Sequence, residues 1–86
     1  MNNEIENLRK EINIIDKELL QTLEKRFEIC KQIGEIKKQN NLPIQDSERE
    51  KQIIESKKSM SNLSPEFIEQ IFQNIFKETR ALQNEP

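Results

Sequence analysis

Apolar residues recur every three or four positions from Ile5 to Ile33, through Leu8, Ile12, Ile15, Leu19, Leu23, Phe27 and Cys30. That period keeps them on one face of a helix. Between Ile5 and Lys38 there is no proline and a single glycine, Gly34. The stretch is therefore expected to form one helix, roughly 50 Å long at about 1.5 Å per residue. A compact protein of about 100 residues has a radius of gyration of only about 13 Å. The rest of the chain is too short to cover such a stripe, so this helix is expected to be the spine of an oligomer. Residues 1–4 should fray. The helix should fade at Gln39-Asn40-Asn41, because Pro43 biases Leu42 away from helical geometry. Residues 39–45 then form a loop.

A second helix is expected from Asp46 or Ser47 to Lys58. Ser47 and Glu50 have the S-x-x-E spacing of a capping box, Ile53 and Ile54 supply its apolar anchor, and Lys57 and Lys58 suit its C-terminal end. Ser59 to Leu63 reads as a connection. Ser64-Pro65 then pairs an N-cap serine with proline in the first helical position. The third helix should run from Pro65 to Leu82 or Gln83, with Phe67, Ile68, Ile71, Phe72, Ile75 and Phe76 on a broad apolar face. Asn84-Glu85-Pro86 is a tail. The expected fold class is all-α, with helices at about 5–38, 47–58 and 65–83 in a single domain spanning residues 1–86.

Composition strengthens the oligomer expectation. The 86 residues are 33% hydrophobic and 35% charged, and phenylalanine, four times, is the only aromatic. So small and polar a chain forms a thin core alone, and association is the usual remedy. A net charge of -2 leaves no electrostatic footprint for nucleic acid. One cysteine, Cys30, excludes an internal disulfide and a multi-cysteine metal site. The lack of histidine excludes most zinc sites and histidine-based triads. Met-Asn-Asn-Glu opens neither a signal peptide nor a membrane span, so a cytoplasmic protein is expected.

Several polar residues invite a chemical reading. Arg26 and Lys37 lie eleven positions apart, close to a whole number of turns and roughly 16 Å along the axis. Cys30 and Ile33 lie between them, so two cations bracket an apolar floor that could hold a small anion. Spacing alone favours solvated surface charges. Arg9 stands about 25 Å before Arg26 and could reach the same anion only from another, antiparallel protomer. Asp46, Arg49 and Glu50 cluster at the second helix start, where ordinary end chemistry also accounts for acids. Thr79 and Gln83 continue the stripe of Phe72 and Phe76, and either find buried partners or fray into water. Cys30 reads as a small core residue. Gly34 disfavours the helix by about 1 kcal/mol relative to alanine, which suggests close packing or room for a ligand.

Together, Leu8-Arg9, Ile12, Ile15-Asp16, Leu19-Leu20, Leu23, Arg26, Ile33-Gly34, Lys37, Pro43-Ile44, Asp46, Arg49-Glu50, Leu63-Ser64-Pro65-Glu66, Ile71-Phe72, Ile75, Thr79 and Gln83 resemble the all-helical (type II, AroQ-class) chorismate mutases over essentially the whole chain. The resemblance implies three-helix protomers intertwined as a six-helix homodimer, without a cofactor or metal. It implies the Claisen rearrangement of chorismate to prephenate, in phenylalanine and tyrosine biosynthesis. Arg26 and Arg9 of the partner subunit would clamp the two carboxylates, and Lys37 and Gln83 would donate to the ether oxygen. Glu50, with the backbone near Asp46, would hold the ring hydroxyl. Arg49 would stiffen that corner, and Thr79, where some relatives have serine, would contact the ring carboxylate. Two alternatives stand beside this reading: an isochorismate-pyruvate lyase of the same fold, and a non-catalytic helical dimer. Docking on another shikimate-pathway enzyme would be compatible with any of them.

Overall fold

Residues 3–84, which the computed structural model describes, form α1 (Asn3–Gln39), α2 (Ser47–Met60) and α3 (Pro65–Gln83). The all-α expectation holds. The molecule measures 60 × 27 × 16 Å with a radius of gyration of 16.8 Å, and α1, about 55 Å long by its helical rise, sets the long dimension. It starts earlier than expected, with Asn3 and Glu4 already helical. Met1, Asn2, Glu85 and Pro86 lie outside the described residues, so the expected fraying of 1–4 can be compared only at Asn3 and Glu4, and the expected tail 84–86 only at Asn84.

Asn41, rather than Pro43, shapes the end of α1. Its backbone is left-handed, with φ 56°, a conformation that asparagine tolerates better than most residues. The Leu42 N–H donates to the Lys37 carbonyl at 2.8 Å and the Asn41 N–H to the Lys38 carbonyl at 3.3 Å. This is the paired bonding of a Schellman cap, which satisfies two carbonyls that the helix would leave open.

The expected capping box on α2 does not form. Asp46 is the N-cap, with its carboxylate accepting from the Arg49 N–H at 3.0 Å. Ser47 is already helical, and the Glu50 carboxylate turns to α3 instead of closing on the helix start. The helix also outruns Lys58 by one half-turn, to Met60. No glycine or proline stops it there, and the Ser59 hydroxyl donates back to the Glu55 carbonyl at 3.2 Å. On α3 the Ser64 cap accepts from the Phe67 N–H at 3.3 Å and donates to the Glu66 carboxylate at 2.9 Å. The Glu66 backbone N–H, then the Ser64 hydroxyl, hold the Glu66 carboxyl below its ordinary value. Its contribution to stability is therefore present above the unfolded-state value and lost as pH falls through the folded one.

α3 packs between the other two helices. Arg26 meets Thr79 and Cys30 meets Gln83, so α1 and α3 run in the same direction. Glu50 meets Arg80 and Lys58 meets Glu69, so α2 runs opposite to α3. The buried apolar residues are Ile54, Ile68 and Phe76, with the Phe72 ring 6.0 Å from that of Phe76. Phe67, expected on the apolar face, is exposed. So is the first half of the α1 stripe: Ile5, Leu8, Ile12, Ile15 and Leu19 are 51–60% exposed. Among the described residues no helix is long and apolar enough to cross a membrane.

Candidate active site

The second half of α1, the start of α2 and the end of α3 line an open-sided cavity of about 380 Å³, within the ~300–1,000 Å³ usual for small-molecule sites. From α1 come Arg26, Cys30, Ile33 and Lys37, one stripe of the helix. The loop and α2 contribute Ile44, Asp46, Arg49, Glu50 and Ile53. From α3 come Phe76, Thr79, Arg80 and Gln83. Every residue singled out in the sequence for a site is thus gathered here except Arg9. That arginine is exposed and ion-paired with Glu6 at 2.7 Å.

Arg26 and Lys37 are half-buried, and the solvated-charge reading of them does not hold. The Arg26 guanidinium lies 5.9 Å from the Phe76 ring centre, within range of a cation–π attraction. Its Nη1 reaches Thr79 Oγ1 at 3.5 Å and Cys30 Sγ at 3.7 Å. The Thr79 hydroxyl donates to the Ile75 carbonyl at 2.8 Å, which leaves its oxygen to receive Arg26. Lys37 Nζ donates to the Ile44 carbonyl at 3.0 Å, while the Lys37 carbonyl accepts from Leu42. The loop is thereby folded back over the last turn of α1. An ammonium carries three donors, so this latch leaves Lys37 others to offer the cavity.

Gln83 does not fray. It is only 6% exposed, and its Nε2 donates to the Cys30 carbonyl at 2.7 Å. That bond directs the amide NH₂ group, with its second donor, to the α1 side of the cavity. Gly34 permits the approach. A Cβ there would lie 2.7 Å from Gln83 Cγ, 2.9 Å from its Cβ and 3.3 Å from its Cα. The close-packing expectation for Gly34 is met, and its partner is Gln83. Gly34→Ala should accordingly push the end of α3 off α1. Overpacking costs about 1–3 kcal/mol against a helix-propensity gain of about 1 kcal/mol. A net loss of roughly 1 kcal/mol follows, read as a lower thermal midpoint; a raised midpoint would contradict the notch.

Glu50 lines the same cavity from α2. Its Oε2 accepts from Arg80 Nη1 at 2.6 Å, with the two side chains 22% and 28% exposed. Sequence reasoning passed over Arg80, although positions 76, 79, 80 and 83 share one helical face. It looked like an ordinary cation in the last turn of a helix. Arg49 and Asp46 are more exposed, at the rim. Four cations, Arg26, Lys37, Arg49 and Arg80, face two carboxylates, Asp46 and Glu50, over an apolar floor. Such a surface suits a compact anion with an apolar body.

Residues 8–84 match the profile of the chorismate mutase type II family. The bifunctional chorismate mutase/prephenate dehydratase of Buchnera aphidicola subsp. Schizaphis graminum is 39% identical over 84 residues, which cover 94% of this chain and 22% of that protein. The chorismate mutase of Methanocaldococcus jannaschii is 33% identical over 81 residues, covering 91% of this chain and 82% of that one. Among solved structures, the chorismate mutase (form II) of Thermus thermophilus superposes with a TM-score of 0.91 at 27% identity, over 95% of this chain and 96% of that chain. The chain spans about a fifth of the length of the longer curated relatives it matches. From the match over residues 8–84 and the identity to the Methanocaldococcus enzyme, the chain belongs to the chorismate mutase type II family.

Proposed function

We propose that this chain is a chorismate mutase that converts chorismate to prephenate in phenylalanine and tyrosine biosynthesis. The observation that carries the reading is the convergence of Arg26, Lys37 and Gln83, from two helices, on one apolar-floored cavity. In the rearrangement the ether bond to the ring breaks as a carbon–carbon bond forms between the enolpyruvyl methylene and the ring. No proton or group leaves the molecule. The protein must hold the dianion in a compact reactive conformer and meet the charge that grows on the ether oxygen with fixed donors.

The site is suited to both tasks. Arg26 takes one carboxylate through its guanidinium fork. Lys37 and the second Gln83 N–H donate to the ether oxygen. Glu50 and the backbone near Asp46 receive the ring hydroxyl, with Arg49 stiffening that corner. Thr79 touches the ring carboxylate once its hydroxyl swings away from Ile75, and the extra methyl group relative to serine narrows the ways it can turn. Arg9 of the partner subunit closes the cage. Support for this last assignment comes from the exposed stripe Ile5, Leu8, Ile12, Ile15 and Leu19. Burying five half-exposed side chains against a second copy would gain on the order of 5 kcal/mol per protomer. In this reading residues 1–86 are one domain of an antiparallel homodimer. A cytoplasmic setting would keep the free thiol of Cys30 reduced.

The test offers purified protein chorismate and, separately, isochorismate, and identifies the products by mass and NMR. Prephenate from chorismate is the expected result. Pyruvate and salicylate from isochorismate alone would favour the lyase, and silence on both would leave a non-catalytic helical dimer.

A further inference from the structure

We infer that Arg80 is a positioning residue that works through Glu50, neutralising its carboxylate so that a dianion can share the cavity with it. The inference rests on the mutase reading above. Glu50 Oε2 is held at 2.6 Å by Arg80 Nη1, on a different helix 30 residues away, and both side chains line the cavity. The Asp46 carboxylate is already engaged as the α2 cap, so Glu50 is the acid that faces incoming carboxylates. Unpaired, it would repel them, and like-charge juxtaposition in a partly desolvated site weakens binding strongly. With Arg80 present, this chain's own lining carries four cations against two carboxylates, to which Arg9 of the partner subunit adds a fifth in the mutase reading. Without Arg80 the excess falls by one charge, and the loss occurs beside Glu50. The ion pair also ties the start of α2 to the end of α3, and so fixes one Glu50 oxygen while the other remains to accept from a hydroxyl group. Arg80 need not touch substrate to do this.

The experiment is a double-mutant cycle on the full chain, with KM and kcat for chorismate and thermal midpoints measured for wild type, Arg80→Met, Glu50→Gln and the double variant. Arg80→Met is expected to raise KM about tenfold or more, with a smaller change in kcat. In the Glu50→Gln background, where no carboxylate is left to neutralise, the same substitution should change KM by less than about twofold. Arg80→Lys, which keeps the charge, should hold KM within about threefold of wild type. The inference fails if Arg80→Met raises KM equally in both backgrounds, if it leaves KM unmoved, or if Arg80→Lys is as impaired as Arg80→Met. It fails too if the whole loss follows the fraction of protein unfolded. Wild-type turnover is measured first. An inactive wild type refutes the mutase reading, whereas an active one with uncoupled variants refutes only the role of Arg80.

Discussion

Mixed and allowed to exchange subunits, Arg9→Ala and Arg26→Ala are expected to regain about a quarter of wild-type turnover, although each alone is nearly inactive. Arg26 lines the cavity, whereas Arg9 sits seventeen residues earlier on the same unbroken helix, about 25 Å away along its axis. No side chain bridges that gap, so Arg9 can serve the cavity only from an antiparallel partner whose α1 crosses with reversed direction. Two-fold symmetry then makes the two sites equivalent. In a heterodimer one site keeps both arginines and the other keeps neither. Random exchange makes about half the dimers mixed, and half the sites in those are intact. Activity recovers in proportion to heterodimer, which ion-exchange chromatography quantifies after mixing. Demonstrated heterodimers without recovery would put Arg9 outside the site. The exposed stripe at the first half of α1 would then need another explanation.

Lys37→Ala is expected to lower kcat by about 10²–10³, the usual effect of removing one preorganised donor to developing negative charge. The side chain has a second task, because its ammonium latches the Ile44 carbonyl at 3.0 Å over a helix end already closed by Asn41 and Leu42. Those backbone bonds survive the substitution. The stability loss should therefore stay within about 0.5–1.5 kcal/mol, the net worth of one hydrogen bond. The signature is a large fall in kcat with a small shift in thermal midpoint. Similar falls in both would mean that Lys37 holds the loop rather than the substrate.

The helices were legible because the signals that made them are local. Ser64-Pro65 starts α3 with the expected cap, and the three- and four-residue period from Ile5 to Ile33 lies within one unbroken helix that runs to Gln39. Where two local signals competed, the reading slipped. Asp46 and Ser47 are adjacent residues that both cap well, and the S-x-x-E pattern favoured Ser47, but the carboxylate of Glu50 is taken by Arg80, 30 residues away. Nothing near Ser47 in the chain announces that pairing. Gln83 shows the same limit. Its place on the face of Phe76 was readable, but its burial depends on the missing Cβ of Gly34 on another helix. Arg26 and Lys37 looked solvated by spacing alone because helix periodicity places them on a stripe without saying what covers it. α3 and the loop through Ile44 do so.

The most direct measurement is prephenate formation from chorismate by the wild-type chain, followed beside Lys37→Ala at equal concentration with the uncatalysed rearrangement as baseline. The site built from Arg26, Lys37 and Gln83 predicts a wild-type rate far above that baseline and a variant rate at least about a hundredfold lower. A wild-type rate at the baseline, or a Lys37→Ala rate equal to wild type, would contradict it.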